Sequence, residues 1–397
     1  MLATLGNLQR AAGRVGTVLD PGSHGRLCEV ITLRIEQDMG VLAALRSDVA
    51  PLRSRVRQVS KRGSTSVALV GTDGGNNRVR FDPFLIQLVR VVDSSNNEYF
   101  LDAVTPETGV TALGSSQFGA DGTPKTPLGK MMAILDVEDL TELSHMIRRN
   151  EEGRPSSHSW VQVYRELVEW SVLFSILRDR YFATDTVIVF DGLLRSKVFA
   201  GTLFRDLGRE FEKAIDSQYR KSRRRVYLVG LAKHSKVLDT YRLAMRLEDV
   251  LTNQYPAYVE VPRELEEKAY VWSEYARGDD RELEGGEANK FVNGKMFFVK
   301  FGPRSRDPIW PVDVFLPQRG DAHKVLGCLL ADAVEGFPVP FYPRCLQTAH
   351  ANAALVDFDF DVLQGEILNG IRTVLGSDAE VVDEVRLSGG DPAQRRY

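Results

Sequence analysis

Two acidic residues in this sequence each follow a short apolar segment. Asp73 follows VALVGT (67–72), Asp191 follows TVIVF (186–190), and a glycine comes directly after each. Apolar runs of this length are typical of buried strands, so both carboxylates are predicted to lie where a strand ends. An aspartate–glycine pair after a strand is also a common turn signal, and either pair alone indicates a turn more often than a functional site.

A long apolar segment between the two aspartates, residues 160–181, is predicted to form a helix that carries two glutamates. On a helical wheel at ~100° per residue, Glu166 borders the apolar face and Glu169 lies further round, so periodicity favours Glu166. Carboxylates that are brought together repel one another unless a cation lies between them, and oxygen ligands suit Mg²⁺ or Mn²⁺. Two such ions can activate a water and stabilise the leaving oxygen of a phosphodiester. The three acidic positions therefore predict a two-metal site for phosphodiester hydrolysis.

The elements predicted around these residues form a mixed α/β pattern. Apolar residues at helical spacing predict one or two helices within residues 25–60, and three strands joined by short turns follow. The first of these strands is predicted to end at Asp73, and SSNN (94–97) predicts a hairpin between the second and the third. Helices and strands then alternate, including a strand that ends near Lys233. Because such sheets bind ligands at the carboxyl ends of their strands, Asp73 and Asp191 are predicted to meet there.

Composition limits the classes of protein to which the chain can belong. The 397 residues are 43% hydrophobic and carry a formal charge of −3, which is typical of one large globular domain or two average ones. No apolar stretch approaches the ~18 residues of a membrane span, and the N-terminus lacks the features of a signal peptide. The spacing of the cysteines is not that of a metal site, and a reducing cytoplasm is expected. These are Cys28, Cys328 and Cys345.

The order of these motifs resembles that of the NurA nucleases, which act with the HerA hexameric DNA translocase. An acid on the first strand, a glutamate on the next helix and an acid on the fourth strand is also the layout of ribonuclease-H-like nucleases. The resemblance implies a ribonuclease-H-like mixed sheet flanked by helices, deoxyribonuclease activity that depends on Mn²⁺ or Mg²⁺, and a homodimer. The matching segments are VALVGTDGG, VEW, VIVFDGLL, VYLVGLAKHSK, MFFVKFGP and GFPVPFYPRCLQTAH.

By position, the resemblance assigns metal-binding roles to Asp73 and Asp191. The family glutamate usually lies closer to the second aspartate than Glu166 does, which favours Glu169. Helical periodicity favours Glu166, so both glutamates stay candidates. Gly75 stands where the family more often has serine, so the first motif lacks a hydroxyl that could support a substrate contact.

Three further residues match family positions in the second half of the chain. Lys233, in GLAKHS, matches a lysine after the next strand and would contact the scissile phosphate as a point charge. Tyr342 and His350 match the C-terminal tyrosine and histidine, and a neutral His350 would ligate the second metal or move a proton. A lone lysine or histidine is more often a structural residue, but the spacing between Tyr342 and His350 favours the functional interpretation.

The densest basic run is YRKSRRR (219–225), directly before the strand that ends near Lys233. Clustered arginines beside an aromatic residue suit a groove that follows a nucleic-acid backbone without reading its sequence. A solvated helix end with favourable placement in the helix dipole is an equally good interpretation. The candidate DNA-binding residues are Arg220, Lys221, Arg223, Arg224 and Arg225.

The resemblance implies a nuclease that processes DNA ends as a 5′–3′ exonuclease and single-strand endonuclease, with a HerA-type hexameric ATPase, in double-strand break repair or phage defence. We expect an N-terminal helical segment (1–62), a nuclease domain (63–375) with a surface insertion (276–290), and a partly disordered tail (376–397). One alternative is a sugar-kinase- or actin-like phosphotransferase, because GTDGGNN (71–77) resembles the first phosphate loop of that class, although a second such loop is missing. Another is a non-catalytic accessory subunit of the translocase.

Overall fold

The computed structural model describes most of the chain. It covers residues 21–62, 67–81, 84–151, 154–157, 159–270, 290–354 and 357–376. Within these ranges, the side chains of residues 21–24, 67–85, 357–361, 363 and 364 are not described. The predicted insertion lies outside the described residues apart from Lys290, and the predicted tail apart from Gly376. No helix in the described ranges is long and apolar enough to cross a membrane.

One mixed sheet of nine strands organises the described chain, in the order β1-β7-β8-β9-β6-β5-β2-β3-β4. β2, β5 and β6 are parallel neighbours, and every other neighbouring pair is antiparallel. The strands are β1 (Arg57–Gln58), β2 (Val67–Phe81), β3 (Phe84–Asp93), β4 (Glu98–Val104), β5 (Asp185–Asp191), β6 (Val226–Leu231), β7 (Ala257–Glu260), β8 (Gly294–Lys300) and β9 (Ile309–Phe315).

Helices cover both faces of this sheet, as the sequence predicts. Two 3₁₀ helices, Ala50–Arg55 and Leu316–Asp321, precede β1 and follow β9. The α-helices are α1 (Pro21–Gln37), α2 (Met39–Val49), α3 (Val110–Ser116), α4 (Pro127–Ile134), α5 (Leu140–Leu143), α6 (Trp160–Asp179), α7 (Leu203–Ser222), α8 (Lys236–Leu247), α9 (Arg263–Ala269), α10 (Ala322–Ala333), α11 (Arg344–Ala353) and α12 (Asp357–Leu375). The predicted α/β class, with a mixed sheet flanked by helices, is confirmed.

Strand β5 shows how the sheet separates two cores. Its β-branched sequence suits a central strand buried on both faces. Ile188 and Phe190 pack with α6 and α7 on one face, whereas Val187 and Val189 pack with α10 and α11 on the other. Because side chains alternate along a strand, Asp191 follows Val189 toward the α10–α11 face. Asp191 therefore lies on that face, where β5 ends.

The first long strand differs from the sequence prediction. Asp73 does not end β2, because pairing with β3 continues from Thr72–Asp93 to Phe81–Phe84, through both glycines and both asparagines. Parallel pairing with β5 does stop close to the predicted end, and its last pair is Thr72–Phe190. The ladder to β3 thus overrides the low strand propensity of this segment. Asp73 lies where β2 loses one of its two neighbours.

A polar cluster fixes the β3–β4 hairpin against the end of α6. Asp93 is fully buried, and its Oδ2 accepts hydrogen bonds from Asn97, Tyr99 and Arg180 at 2.8, 3.0 and 2.8 Å. Burial alone would raise the pKa of the Asp93 carboxyl, but the hydrogen bonds from Asn97, Arg180 and Ser95 hold the pKa below its usual value. The hairpin predicted at SSNN is present, and this carboxylate anchors it.

Candidate active site

Asp191 lies at the carboxyl end of β5, in register with Leu231 of the parallel strand β6. The chain leaves the strand at Gly192, whose φ of +149° favours glycine and whose N–H donates to the Leu231 carbonyl oxygen at 3.0 Å. A Cβ at this position would lie 2.9 Å from the Phe190 ring. The glycine therefore allows a sharp exit that leaves the Asp191 carboxylate at the edge of the sheet.

Two residues predicted from the sequence contact the Asp191 carboxylate. The Lys233 ammonium lies 3.5 Å from Oδ2, and the Tyr342 hydroxyl donates to Oδ1 at 3.2 Å. Lys233 reaches this position because parallel β5 and β6 end side by side, two residues before it. Its ammonium is also 5.6 Å from the centre of the Tyr342 ring. The structure thus brings Asp191, Lys233 and Tyr342 together.

Tyr342 is held in place by packing as well as by its hydroxyl. Its side chain is fully buried, and its ring packs edge-to-face on Trp310 of β9, with 4.9 Å between the ring centroids. The Asp191 carboxylate is 14% exposed and the Lys233 side chain 41% exposed. A 3.5 Å separation is longer than the ~2.7–2.9 Å of a close charge-assisted hydrogen bond. Lys233 therefore stays accessible to an anion that approaches Asp191.

The backbone places Asp73 next to Asp191. Thr72 pairs with Phe190 in the parallel ladder, so the next residues of the two strands are Asp73 and Asp191. Neighbouring strands lie about 4.8 Å apart, which puts the two backbone positions within reach of a shared ligand. Asp73 is among the residues whose side chains are not described, so its predicted role stays a prediction.

Helix α11 crosses β2 between two anchored ends. Tyr342, just before the helix, contacts Asp191 on β5. Near the other end, the Asn352 side-chain amide donates to the carbonyl oxygen of Asp93 on β3 at 3.2 Å. Asp93 pairs with Thr72 of β2. The helix therefore passes over β2 beside the Asp73 position.

His350 lies in the last turn of α11 and is exposed, whereas Leu346 and Ala349 on the same helix are buried. From Arg344, where the helix begins, to His350 the helix rises about 9 Å, at 1.5 Å per residue. That displacement carries it from the β5 side of the site toward β2. His350 therefore lies on the exposed side of α11, near the end of the helix that Asn352 anchors to β3.

The two candidate glutamates of α6 have different partners. The Ser196 hydroxyl donates to Glu166 Oε1 at 2.6 Å, which ties Glu166 to the loop that follows Asp191. Burial raises the pKa of the Glu166 carboxyl, and the hydrogen bond from Ser196 opposes this rise. Glu169 pairs with Arg165 of the preceding turn at 3.1 Å, and its side chain is 13% exposed. Glu166 is thus connected to the Asp191 loop, and the choice between the two stays open.

The described side chains supply one carboxylate ligand, that of Asp191, for a hard divalent cation. Among the described side chains, which do not include that of Asp73, no three histidine, cysteine, aspartate or glutamate residues gather closely enough to hold a metal. Asp191 supplies one oxygen donor set at the sheet edge, and the Asp73 backbone lies beside it. A carboxylate pair of this kind would complete an oxygen site suitable for Mg²⁺ or Mn²⁺.

A buried ion network behind the site was not anticipated from the sequence. Arg195, four residues after Asp191, makes a bidentate pair with Asp313 of β9 at 2.7 and 2.8 Å and also binds Glu266 of α9. Arg263 pairs with Glu266 at 2.6 Å. Both carboxylates are fully buried, and they raise the pKa of Arg195 against the opposing effect of its own burial. The network fixes the loop that leaves Asp191.

The predicted DNA-binding run lies at the other end of β6. Arg220 and Lys221 end α7, Arg223 has left-handed backbone geometry after it, and Val226 begins the strand. Lys233 follows the opposite end of that strand, about 20 Å away at ~3.3 Å per residue. The structure therefore separates Arg220, Lys221, Arg223, Arg224 and Arg225 from the Asp191 edge.

No family model matches the sequence, and no curated protein matches it. Among solved structures, the NurA nuclease from Sulfolobus solfataricus is 13% identical with a TM-score of 0.41, over 91% of this chain and 98% of that one. A second NurA structure is 11% identical with a TM-score of 0.44, over 90% and 99%. A NurA structure with manganese is 11% identical with a TM-score of 0.33, over 87% and 98%. The chain is similar to the first two of these structures over about nine-tenths of its length.

Proposed function

We propose that the chain is a metal-dependent deoxyribonuclease that processes DNA ends. The observation that carries this proposal is the arrangement at the carboxyl edge of β5, where Asp191 lies beside the Asp73 position and is contacted by Lys233 and Tyr342. An acid pair for cations beside an accessible lysine fits an anionic substrate. An enzyme that hydrolyses a phosphodiester must hold the anionic substrate in place and stabilise the negative charge that develops on it in the transition state.

Each described residue has a distinct role in this proposal. Lys233 would bind a non-bridging oxygen of the scissile phosphate and stabilise the charge that develops there. The Tyr342 hydroxyl would fix the orientation of the Asp191 carboxylate, and the Trp310 ring would hold Tyr342 in place. Asp73, Asp191, one of Glu166 and Glu169, and His350 would hold one or two Mn²⁺ or Mg²⁺ ions. The bound ions would supply activation of the attacking water and neutralisation of the leaving oxygen.

The test uses purified protein and DNA labelled at the 5′ or the 3′ end, with Mn²⁺, Mg²⁺ or EDTA and without nucleotide. Metal-dependent release of label is expected, and its order from the two ends gives the polarity of cleavage. Asp191→Asn should lower the rate by at least about 10²-fold, the scale seen on removal of one electrostatic catalytic group. Asp216→Asn, which changes an exposed aspartate on α7, is the matched control. Cleavage that survives in EDTA or in Asp191→Asn would refute the proposed site.

The same assay separates the alternative functions. Hydrolysis of ATP by the protein alone would favour a phosphotransferase of the sugar-kinase or actin class. Absence of cleavage with every metal, followed by cleavage when a HerA-type hexameric ATPase is added, would place the activity in the complex. Absence of cleavage under both conditions would leave an accessory subunit as the function. We propose break repair or phage defence as the process, in the cytoplasm.

A homodimer is part of the proposal, and the N-terminal helices support it. Apolar side chains on α1 and at the start of α2 are about half exposed, and exposed apolar surface of this kind is typical of protein interfaces. The molar mass measured by light scattering should therefore be twice that of the chain. Substitution of Val30 and Ile31 by glutamate should shift the mass toward that of the monomer. These side chains are Leu27, Val30, Ile31, Leu33, Ile35, Met39 and Val41.

A further inference from the structure

A basic cleft opens beside the candidate active site and is separate from the predicted DNA-binding run. It has a volume of about 410 Å³ and lies between α8 and the connection from β8 to β9. Lys233 and Trp310 both line it. Lys233 contacts the Asp191 carboxylate, and Trp310 packs on Tyr342, which contacts the same carboxylate. The cleft, here called the Lys233 cleft, is therefore continuous with the site.

The charge of the Lys233 cleft is strongly positive. Besides Lys233, its described lining includes Arg242, Arg246 and Arg306, with Asp307 as the acidic member. The Asp307 Oδ2 accepts the Arg304 backbone N–H at 2.6 Å, which orients this carboxylate. Four cationic side chains against one carboxylate leave the described lining with a net positive charge that attracts an anion.

The three arginines of the cleft can each interact with an anionic ligand. Arg246 donates to the backbone carbonyl oxygens of Ser305 and Asp307, and these neutral acceptors orient the guanidinium without neutralising it. Arg242 lies 3.6 Å from Asp239, and both side chains are about half exposed, so this surface pair is weak. Arg306 is exposed.

The shape of the cleft indicates which part of a nucleic acid it fits. Its volume is at the small end of the ~300–1,000 Å³ of ligand pockets, which is room for about one nucleotide-sized group. Trp310 is buried, with 8% exposed, so its ring face is not offered for stacking on a base. Arginine guanidinium groups bind phosphate oxygens in a bidentate manner. The lining therefore suits a phosphate backbone and not a base edge.

We propose that the Lys233 cleft binds the phosphate backbone of the DNA strand next to the scissile phosphate. This inference rests on the proposed nuclease function and adds the path of the substrate strand: from Asp191, past Lys233, toward Arg242 and Arg306. Binding there is independent of base sequence, because phosphate contacts carry no sequence information. A substrate must then extend at least one nucleotide beyond the cut to reach these arginines.

The test measures binding separately from cleavage. Binding of a fluorescently labelled 20-nucleotide single strand of mixed sequence is followed by anisotropy in EDTA, between 0.05 and 0.3 M salt. The test variant is Arg242→Gln with Arg306→Gln, because both side chains are exposed and Arg246, which anchors backbone carbonyls, is left intact. The control is Arg209→Gln with Lys213→Gln on α7, where Arg209 makes an equivalent pair with Asp206 three residues away.

Loss of two phosphate contacts should lower the salt slope of log K by about 1.4, at ~0.7 per contact with a single strand. If the variant and the wild type bind equally at 1 M salt, a slope lower by 1.4 makes the variant bind about 25-fold more weakly at 0.1 M salt. The control variant should keep the slope and affinity of the wild type. An unchanged slope in the Arg242–Arg306 variant would overturn the proposal. The proposal would also be overturned if the loss of slope and affinity occurred only in a variant with Arg220→Gln and Arg224→Gln, at the far end of β6.

Failure of the cleft and failure of the nuclease function give different results. If the cleft assignment is wrong, the wild type still cleaves labelled DNA with Mn²⁺ and the Arg242–Arg306 variant binds and cleaves equally well. If the nuclease function is wrong, the wild type releases no label with any metal, with or without the ATPase, whatever the anisotropy shows. Circular dichroism of each variant confirms that the compared proteins are folded.

Discussion

The Arg195 network provides the sharpest test of how the site is supported. Arg195, Asp313, Glu266 and Arg263 together carry no net charge, and the two carboxylates are fully buried. Arg195→Met fits a similar volume but leaves the Asp313 carboxylate buried without the cation that binds it at 2.7 and 2.8 Å. Removal of one partner from a buried ion pair costs about 3–5 kcal/mol of unfolding free energy.

The assay is urea unfolding followed by intrinsic fluorescence. With an m-value of about 3 kcal/mol per M, a loss of 3–5 kcal/mol lowers the midpoint by about 1–1.7 M. Arg46→Met is the matched control: Arg46 pairs with Glu248 at 2.6 Å, but at the surface, and such pairs contribute about 0.2–1 kcal/mol. The Arg195→Met, Asp313→Asn double variant restores neutrality and should recover at least half of the loss. Equal midpoints for Arg195→Met and Arg46→Met would refute the reasoning.

Three further outcomes follow from the geometry. The Asp93 contribution to stability is fully present above its ordinary pKa of 3.8 and is lost as pH falls through the lower pKa of the folded state. Asp93→Asn should therefore destabilise the protein at pH 7 and flatten the acid limb of a pH titration of unfolding. Gly192→Ala should cost about 1–3 kcal/mol and reduce cleavage, because φ is +149° there, whereas Gly320→Ala, with open space around its Cβ position, should cost nothing measurable. Tyr342→Phe should keep the fold and lower the cleavage rate, and an unchanged rate would show that the hydroxyl does not orient Asp191.

Local signals in the sequence are enough to predict where Asp191 and Lys233 lie in the fold, while their roles stay predictions. Asp191 and Lys233 each follow a short buried strand, and two parallel strands in register necessarily end side by side. A continuous apolar run with a polar residue at its end is enough to predict such a position. Tyr342 required the motif spacing, because the turn before α11 gives no periodic signal of its own.

The parts that the sequence does not predict depend on tertiary contacts. β2 continues past Asp73 because its ladder with β3 stabilises a segment of glycine and asparagine that by itself indicates a turn. Nothing in the local sequence distinguishes Arg195 from the other arginines, because its partners Asp313 and Glu266 lie on β9 and α9. The Lys233 cleft combines residues from 233–246 with residues from 306–310. In each case the contact joins elements that are distant in the sequence, so periodicity and composition do not predict it.

The buried ion network has a consequence for the motions of the site. If the loop from Gly192 to Ser196 detached from β9 and α9, Arg195 would leave the buried carboxylates of Asp313 and Glu266. The free energy of opening this loop should therefore be nearly that of unfolding the sheet. Amide hydrogens of this loop should then exchange with deuterium at the rate of the central strands. By contrast, α11 and α8 border the site without such a network in the described residues. We therefore expect the Asp191 side of the site to act as a rigid base, while adjustment to the bound strand takes place on the side of those two helices.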